Sequence, residues 1–148
     1  MRWSVAGLLL ASLLLAGCGT TASAVEREPE AGLYYPGSQV VFGKTESQSG
    51  LCIDDCHPAR RWVELQTSAS PSQVMTWYAT ALRQRGFTLS PYDRGADLTR
   101  RSWQRNSGGA PGYGFDVFIG VASSSVASSL PFQPGRTYFQ LSFSVPNS

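Results

Sequence analysis

Residues 70–87 carry both ends and the buried stripe of a single helix, and no other stretch constrains the fold as tightly. Ser70 is a good N-cap, Pro71 suits the first helical position, and Gln73, three residues after the serine, completes a capping box. Val74, Trp77, Tyr78, Ala81 and Leu82 then recur at i, i+3, i+4, i+7 and i+8 as one apolar stripe, with Thr76, Thr80, Arg83 and Gln84 on the other side. Gly86 can take the left-handed position after the helix, and Phe87 can pack back on Leu82. Arg83 and Arg85 complement the negative end of the helix dipole. These signals predict a helix over about residues 71–85.

Strand patterns surround it. Tyr113, Phe115, Val117, Ile119 and Val121 recur at every second position, and so do Phe139, Leu141, Phe143 and Val145, with Gln140, Ser142 and Ser144 between them. Weaker runs lie at 39–44, 62–67 and 98–105. Gly108, Gly109, Pro111 and Gly112 mark a turn, and the Ser-rich stretch 122–135 reads as a long hairpin loop. Asp116, between Phe115 and Val117, is expected on the solvent face of its strand. The order strand, strand, helix, strands, without repeated helix–strand alternation, predicts an α+β fold: an antiparallel sheet with the helix packed on one face, a two-layer sandwich.

The chain opens with Arg2, an apolar run over 5–14 too short to span a bilayer, and then Leu15-Ala16-Gly17-Cys18. This arrangement resembles the lipobox of bacterial prolipoproteins. The resemblance implies that residues 1–17 are a signal peptide, that a diacylglyceryl group is attached to the Cys18 thiol, and that cleavage leaves Cys18 as the first residue. Fatty acyl chains such as palmitate would then anchor the protein to a membrane, with its domain on the extracytoplasmic side of the cell envelope. An ordinary secretory signal cut nearby, for instance after Ala24, is the alternative. In a double-membraned cell Gly19 argues, by analogy with lipoprotein sorting, against retention at the inner membrane. Residues 18–32, rich in Ala, Thr and Glu, read as a flexible tether, which leaves 33–148 as one domain.

Hydrophobic residues make up 42% and aromatics 11% of the chain, which argues against disorder. The formal charge of +2 falls to +1 once Arg2 leaves with the signal, giving no long-range attraction to polyanions, so no nucleic-acid partner is expected.

Cys52-Ile53-Asp54-Asp55-Cys56-His57 is the one constellation with possible chemistry. Two cysteines in an oxidising compartment normally pair, and closing so short a loop restricts the unfolded chain by roughly 2 kcal/mol, so a structural disulfide between Cys52 and Cys56 is the leading reading. Cys52, Cys56 and His57, with Asp54 or Asp55, also offer ligands that zinc accepts, although no second Cys or His group follows. A redox role fits less well. The spacing differs from thioredoxin-like motifs and no helix start follows to lower a thiol pKa.

Catalytic constellations are otherwise missing. No Gly-x-Ser-x-Gly elbow exists, His57 is the only histidine, and Gly108 to Gly114 contains no Gly-Lys-Ser/Thr. Glu64, Asp93, Asp97 and Asp116 could supply paired acids, but no spacing prefers two of them. No catalytic residue and no cofactor is therefore expected.

The segment Tyr34-Tyr35-Pro36-Gly37, a strand, and a helix carrying Trp77-Tyr78 and Leu82 before Gly86-Phe87 resembles small exported bacterial α+β domains. That resemblance implies a fold and transfers no catalytic residue. The expected function is a membrane-anchored envelope lipoprotein whose non-catalytic module binds or supports a partner protein of the envelope, through a sheet face or the aromatics Tyr34, Tyr35, Trp62 and Trp103. The alternative is a metal-binding or redox protein centred on Cys52, Cys56 and His57.

Overall fold

A computed structural model describes residues 20–48, 57–91, 93, 99–107, 110–120, 133 and 135–146. Residues 1–17, expected to be a signal peptide, lie outside the described residues, as do Cys18, Cys52, Cys56 and most of the 122–135 connection.

Six strands form one antiparallel sheet. In chain order they are β1 (Gln39–Glu46), β2 (Arg60–Thr67), β3 (Thr88–Leu89), β4 (Arg100–Ser107), β5 (Ala110–Ile119) and β6 (Thr137–Ser144). Across the sheet the order is β1-β2-β6-β5-β4-β3. A short helix α1 (Ala22–Arg27) and a 3-10 turn (Pro29–Gly32) precede β1, and helix α2 (Pro71–Gln84) connects β2 to β3 on the far edge.

The period-2 pattern sorts the side chains onto two faces. The register sets Val63 opposite Leu141, Leu65 opposite Phe139, Phe115 opposite Phe143 and Trp103 opposite Phe115, so these apolar residues share one face. α2 covers it. Val74, Tyr78, Ala81 and Leu82 are buried as the stripe predicts, and the Tyr78 ring lies 5.8 Å from that of Phe115 and 6.1 Å from that of Phe139. Met75, outside the predicted stripe, is buried too, whereas Trp77 is only half-buried at the rim, edge-on to Tyr35.

Both helix ends form as their residues dictate. The Ser70 side chain accepts from the Gln73 backbone N–H while Gln73 accepts from the Ser70 N–H. At the other end Gly86, at φ +79°, lets its own N–H reach the Arg83 carbonyl and the Phe87 N–H reach that of Leu82.

Two features escape the periodicity. β3 has only two residues, fewer than an alternation needs to show itself. β1 carries an irregularity between Val40 and Phe42 that shifts its pairing by one position, so Val40 faces Leu65 and Phe42 faces Glu64.

Residues 20–32, expected to belong to a tether, are instead part of the folded body. Val25 is completely buried in the main core, and Glu30, Ala31 and Leu33 are buried with it. Composition misleads here because a single apolar side chain on α1 suffices once polar partners hold the rest. Arg105 binds Glu30 at 2.8 Å and is flanked by the rings of Phe87 and Tyr113, at 4.6 and 4.4 Å. The Tyr78 hydroxyl donates to the Leu33 carbonyl and accepts from the Tyr35 N–H.

Candidate functional site

Alternation leaves the second face of the sheet unlike the first. It carries Phe42, Lys44 and Glu46 from β1; Arg60, Trp62, Glu64 and Gln66 from β2; Tyr138, Gln140 and Ser142 from β6; Asp116 and Phe118 from β5; and Arg100 and Ser102 from β4. The contacts of both helices are to the first face: α2 through Tyr78 to Phe115 and Phe139, α1 through Glu26 to Arg61 and Thr45.

This second face is polar but not simply a wet surface. Glu64, Gln66, Gln140 and Tyr138 are buried on it. Gln66 donates to Gln39 at 3.0 Å. The Tyr138 hydroxyl lies beside Glu64 without the geometry of a full hydrogen bond; burial first, then that contact and the charge of Glu64, push its pKa up. Trp62 lies under the Arg60 guanidinium at 4.5 Å, and its indole N–H is buried without a hydrogen-bond partner. Arg60 in turn pairs with Glu46 at 3.0 Å. The hydrogen bond from Lys44 first, and then that from Arg60, hold the Glu46 carboxyl below the ordinary range.

Asp116, expected on a solvent face, is half-buried on the second face and accepts a short hydrogen bond from Ser102. Burial raises its pKa, partly offset by that hydrogen bond. Among the other candidate acids, Asp93 is occupied by Arg101 at 3.1 Å, and Asp97 lies outside the described residues. Glu64 and Asp116 stand on strands separated by β6, so the register does not make them neighbours.

The four aromatics do not form one surface. Trp103 is buried on the helix-covered face, Trp62 lies on the opposite face, and Tyr34 and Tyr35 pack at the rim of the core. The cause is the strand period: Trp62 pairs across to Ser142, and Ser142 to Asp116, whereas Trp103 pairs with Phe115. His57 is exposed. The disulfide and metal readings of Cys52 and Cys56 fall outside the described residues, among which no group of three His, Cys, Asp or Glu could hold a metal. Gln66, Tyr138 and Gln140 were not singled out by the sequence. Their polar alternation in β2 and β6 reads as ordinary solvent exposure, and burial of such side chains leaves no mark on the pattern.

The chain's entry into the domain is fixed at one end of the sheet. The Thr20 N–H donates to the Gln48 side chain at 3.1 Å, its hydroxyl donates to the Pro146 carbonyl at 3.2 Å, and its carbonyl accepts from the Gln48 N–H at 3.0 Å. The Ala22 N–H donates to Ser47 at 3.0 Å. Glu26 accepts from Thr45 and lies 3.6 Å from Arg61.

No protein-family model matches the chain, and no curated protein or solved structure is significantly similar to it. Among the described residues no helix is long and apolar enough to cross a membrane.

Proposed function

We propose that this chain is a membrane-anchored envelope lipoprotein, acylated on Cys18, whose mature part is a non-catalytic binding or structural module. The module is a two-layer α+β sandwich, with α2 on one face of the sheet and the second face turned to a partner protein of the envelope.

One observation carries the anchoring half: the placement of Thr20 and α1. Cleavage before Cys18, as the lipobox directs, leaves intact the bonds of Thr20 to Gln48 and Pro146, that of Ala22 to Ser47, and the burial of Val25. Cleavage after Ala24 would cut inside α1 and remove the strap that Thr20 forms between Gln48 and Pro146. The fold thus speaks against a cut after Ala24 and in this way supports the lipobox reading. The binding half is supported by the second face, where Phe42 is exposed at 38% and Trp62 retains a buried unused donor beside polar side chains.

Cys18→Ser tests the anchor, because only a thiol can take the diacylglyceryl group. The variant is expected to lose incorporation of a palmitate probe and to leave the membrane fraction or accumulate uncut. Equal labelling of variant and wild type contradicts the proposal. For the binding face, a photoreactive residue at Phe42 or Phe118 is expected to cross-link an envelope protein in intact cells, and one at Thr80, exposed on α2, is not. Adducts from Thr80 alone would place the partner on the helix.

A further inference from the structure

We infer that the domain sits directly on the bilayer that holds its acyl chains, standing on one chosen end of its sheet. The inference rests on acylation of Cys18. Acyl chains buried in the hydrocarbon hold the cysteine that carries them at headgroup level. Only Gly19 separates Cys18 from Thr20. Two residue steps reach at most about 7 Å, so Thr20 is confined to the headgroup layer or just above it.

Thr20 is not the loose end of a linker. It is bonded to Gln48, just beyond β1, and to Pro146, just beyond β6. The register places the same end of the sheet at Glu46, Arg60 and Ser144, and the Val145 N–H ties it to the Ala59 carbonyl. This end, with Ser47 and His57 exposed on it, faces lipid. The other end, marked by Thr67, Thr137 and the start of α2, faces away. Strands of eight residues at roughly 3.4 Å per residue set that far end about 25 Å higher when the sheet stands upright. A free segment of roughly 15 residues would instead let the domain wander by about 20 Å and tumble in any orientation. Val25, the Glu30–Arg105 pair and the Thr20 strap remove that freedom. A partner is therefore met by a sheet of fixed polarity, at a set height above the membrane.

The test uses full-length lipidated protein in phosphatidylethanolamine–phosphatidylglycerol vesicles, with a photoreactive residue in place of His57, or in place of Ser68 at the far end. Intact mass first establishes the acyl modification, and its absence would remove the lipoprotein reading itself. On acylated protein, His57 sites are expected to give lipid adducts at least ten times as often as Ser68 sites. An insert of roughly 15 Gly and Ser residues between Gly19 and Thr20, whose ends separate by about 20 Å, is expected to abolish that difference. Equal adducts from both positions in acylated protein without the insert, or none from His57, overturns the docked orientation while leaving the lipoprotein reading intact.

Discussion

At the scale of single residues, long-range polar contacts do more here than the composition suggests. Glu30 is almost fully buried, and Arg105, between two aromatic rings, is its partner. Removing one member of such a pair strands the other, and Arg105→Ala is expected to cost on the order of 3 kcal/mol by chemical denaturation. Tyr78→Phe keeps the ring packing but leaves the Leu33 carbonyl and Tyr35 N–H without their hydroxyl, at about 1 to 2 kcal/mol. Asp116 behaves oppositely. Burial raises its folded pKa above the unfolded one, so the native state holds this proton more tightly and ionisation works against folding. The contribution of Asp116 to stability therefore falls as pH rises from the ordinary aspartate range through the raised value. Asp116→Asn, whose amide oxygen can still accept from Ser102, is expected to flatten that decline and to match or exceed wild type at pH 7. Denaturation midpoints at acid and neutral pH check the sign; a larger decline in the variant would contradict it.

Elements show which signals a sequence carries and which it cannot. The helix was legible because its ends and its stripe are local: Ser70, Gln73, Gly86 and Phe87 act within a few residues of one another. Leu82→Ala is expected to cost about 2 to 5 kcal/mol and Thr80→Ala far less, since the first leaves a hole in the core and the second faces solvent. Strands with strict alternation, as in Phe139, Leu141 and Phe143, were legible for the same reason. What stayed hidden depends on partners distant in sequence. β3 is two residues long, the shift at Val40 and Phe42 exists only against β2, and α1 and the 3-10 turn after it are held by Arg61 and Arg105 from other elements. Gly112 belongs to this class as well. A Cβ there would lie 2.0 Å from the Arg105 carbonyl, a close approach set by strand pairing and not by turn preference. The burial of Glu64, Gln66 and Gln140 leaves no mark in the sequence, because polar alternation looks alike whether or not such side chains are buried.

For the whole molecule, the docked N-terminal segment joins the address to the fold. From Thr20 onward the chain is in contact with β1, β2 and the ends of β1 and β6. The proposed acylation of Cys18 and the contacts that begin at Thr20 then act on one short stretch of backbone. Each part of the account then has a distinct consequence: the acyl chains set location, the Thr20 strap sets orientation, and the second face of the sheet is left to meet a partner. The reading of Cys52 and Cys56 as a structural disulfide is separable from this scheme. Replacing both by serine is expected to lower stability by no more than roughly 2 kcal/mol and to leave membrane location unchanged. The decisive measurement is the intact mass, with N-terminal peptide assignment, of protein extracted from the envelope. The account predicts a chain beginning at Cys18 and carrying a diacylglyceryl group on its sulfur. A chain beginning at Val25, or one retaining a free Cys18 thiol, would contradict it.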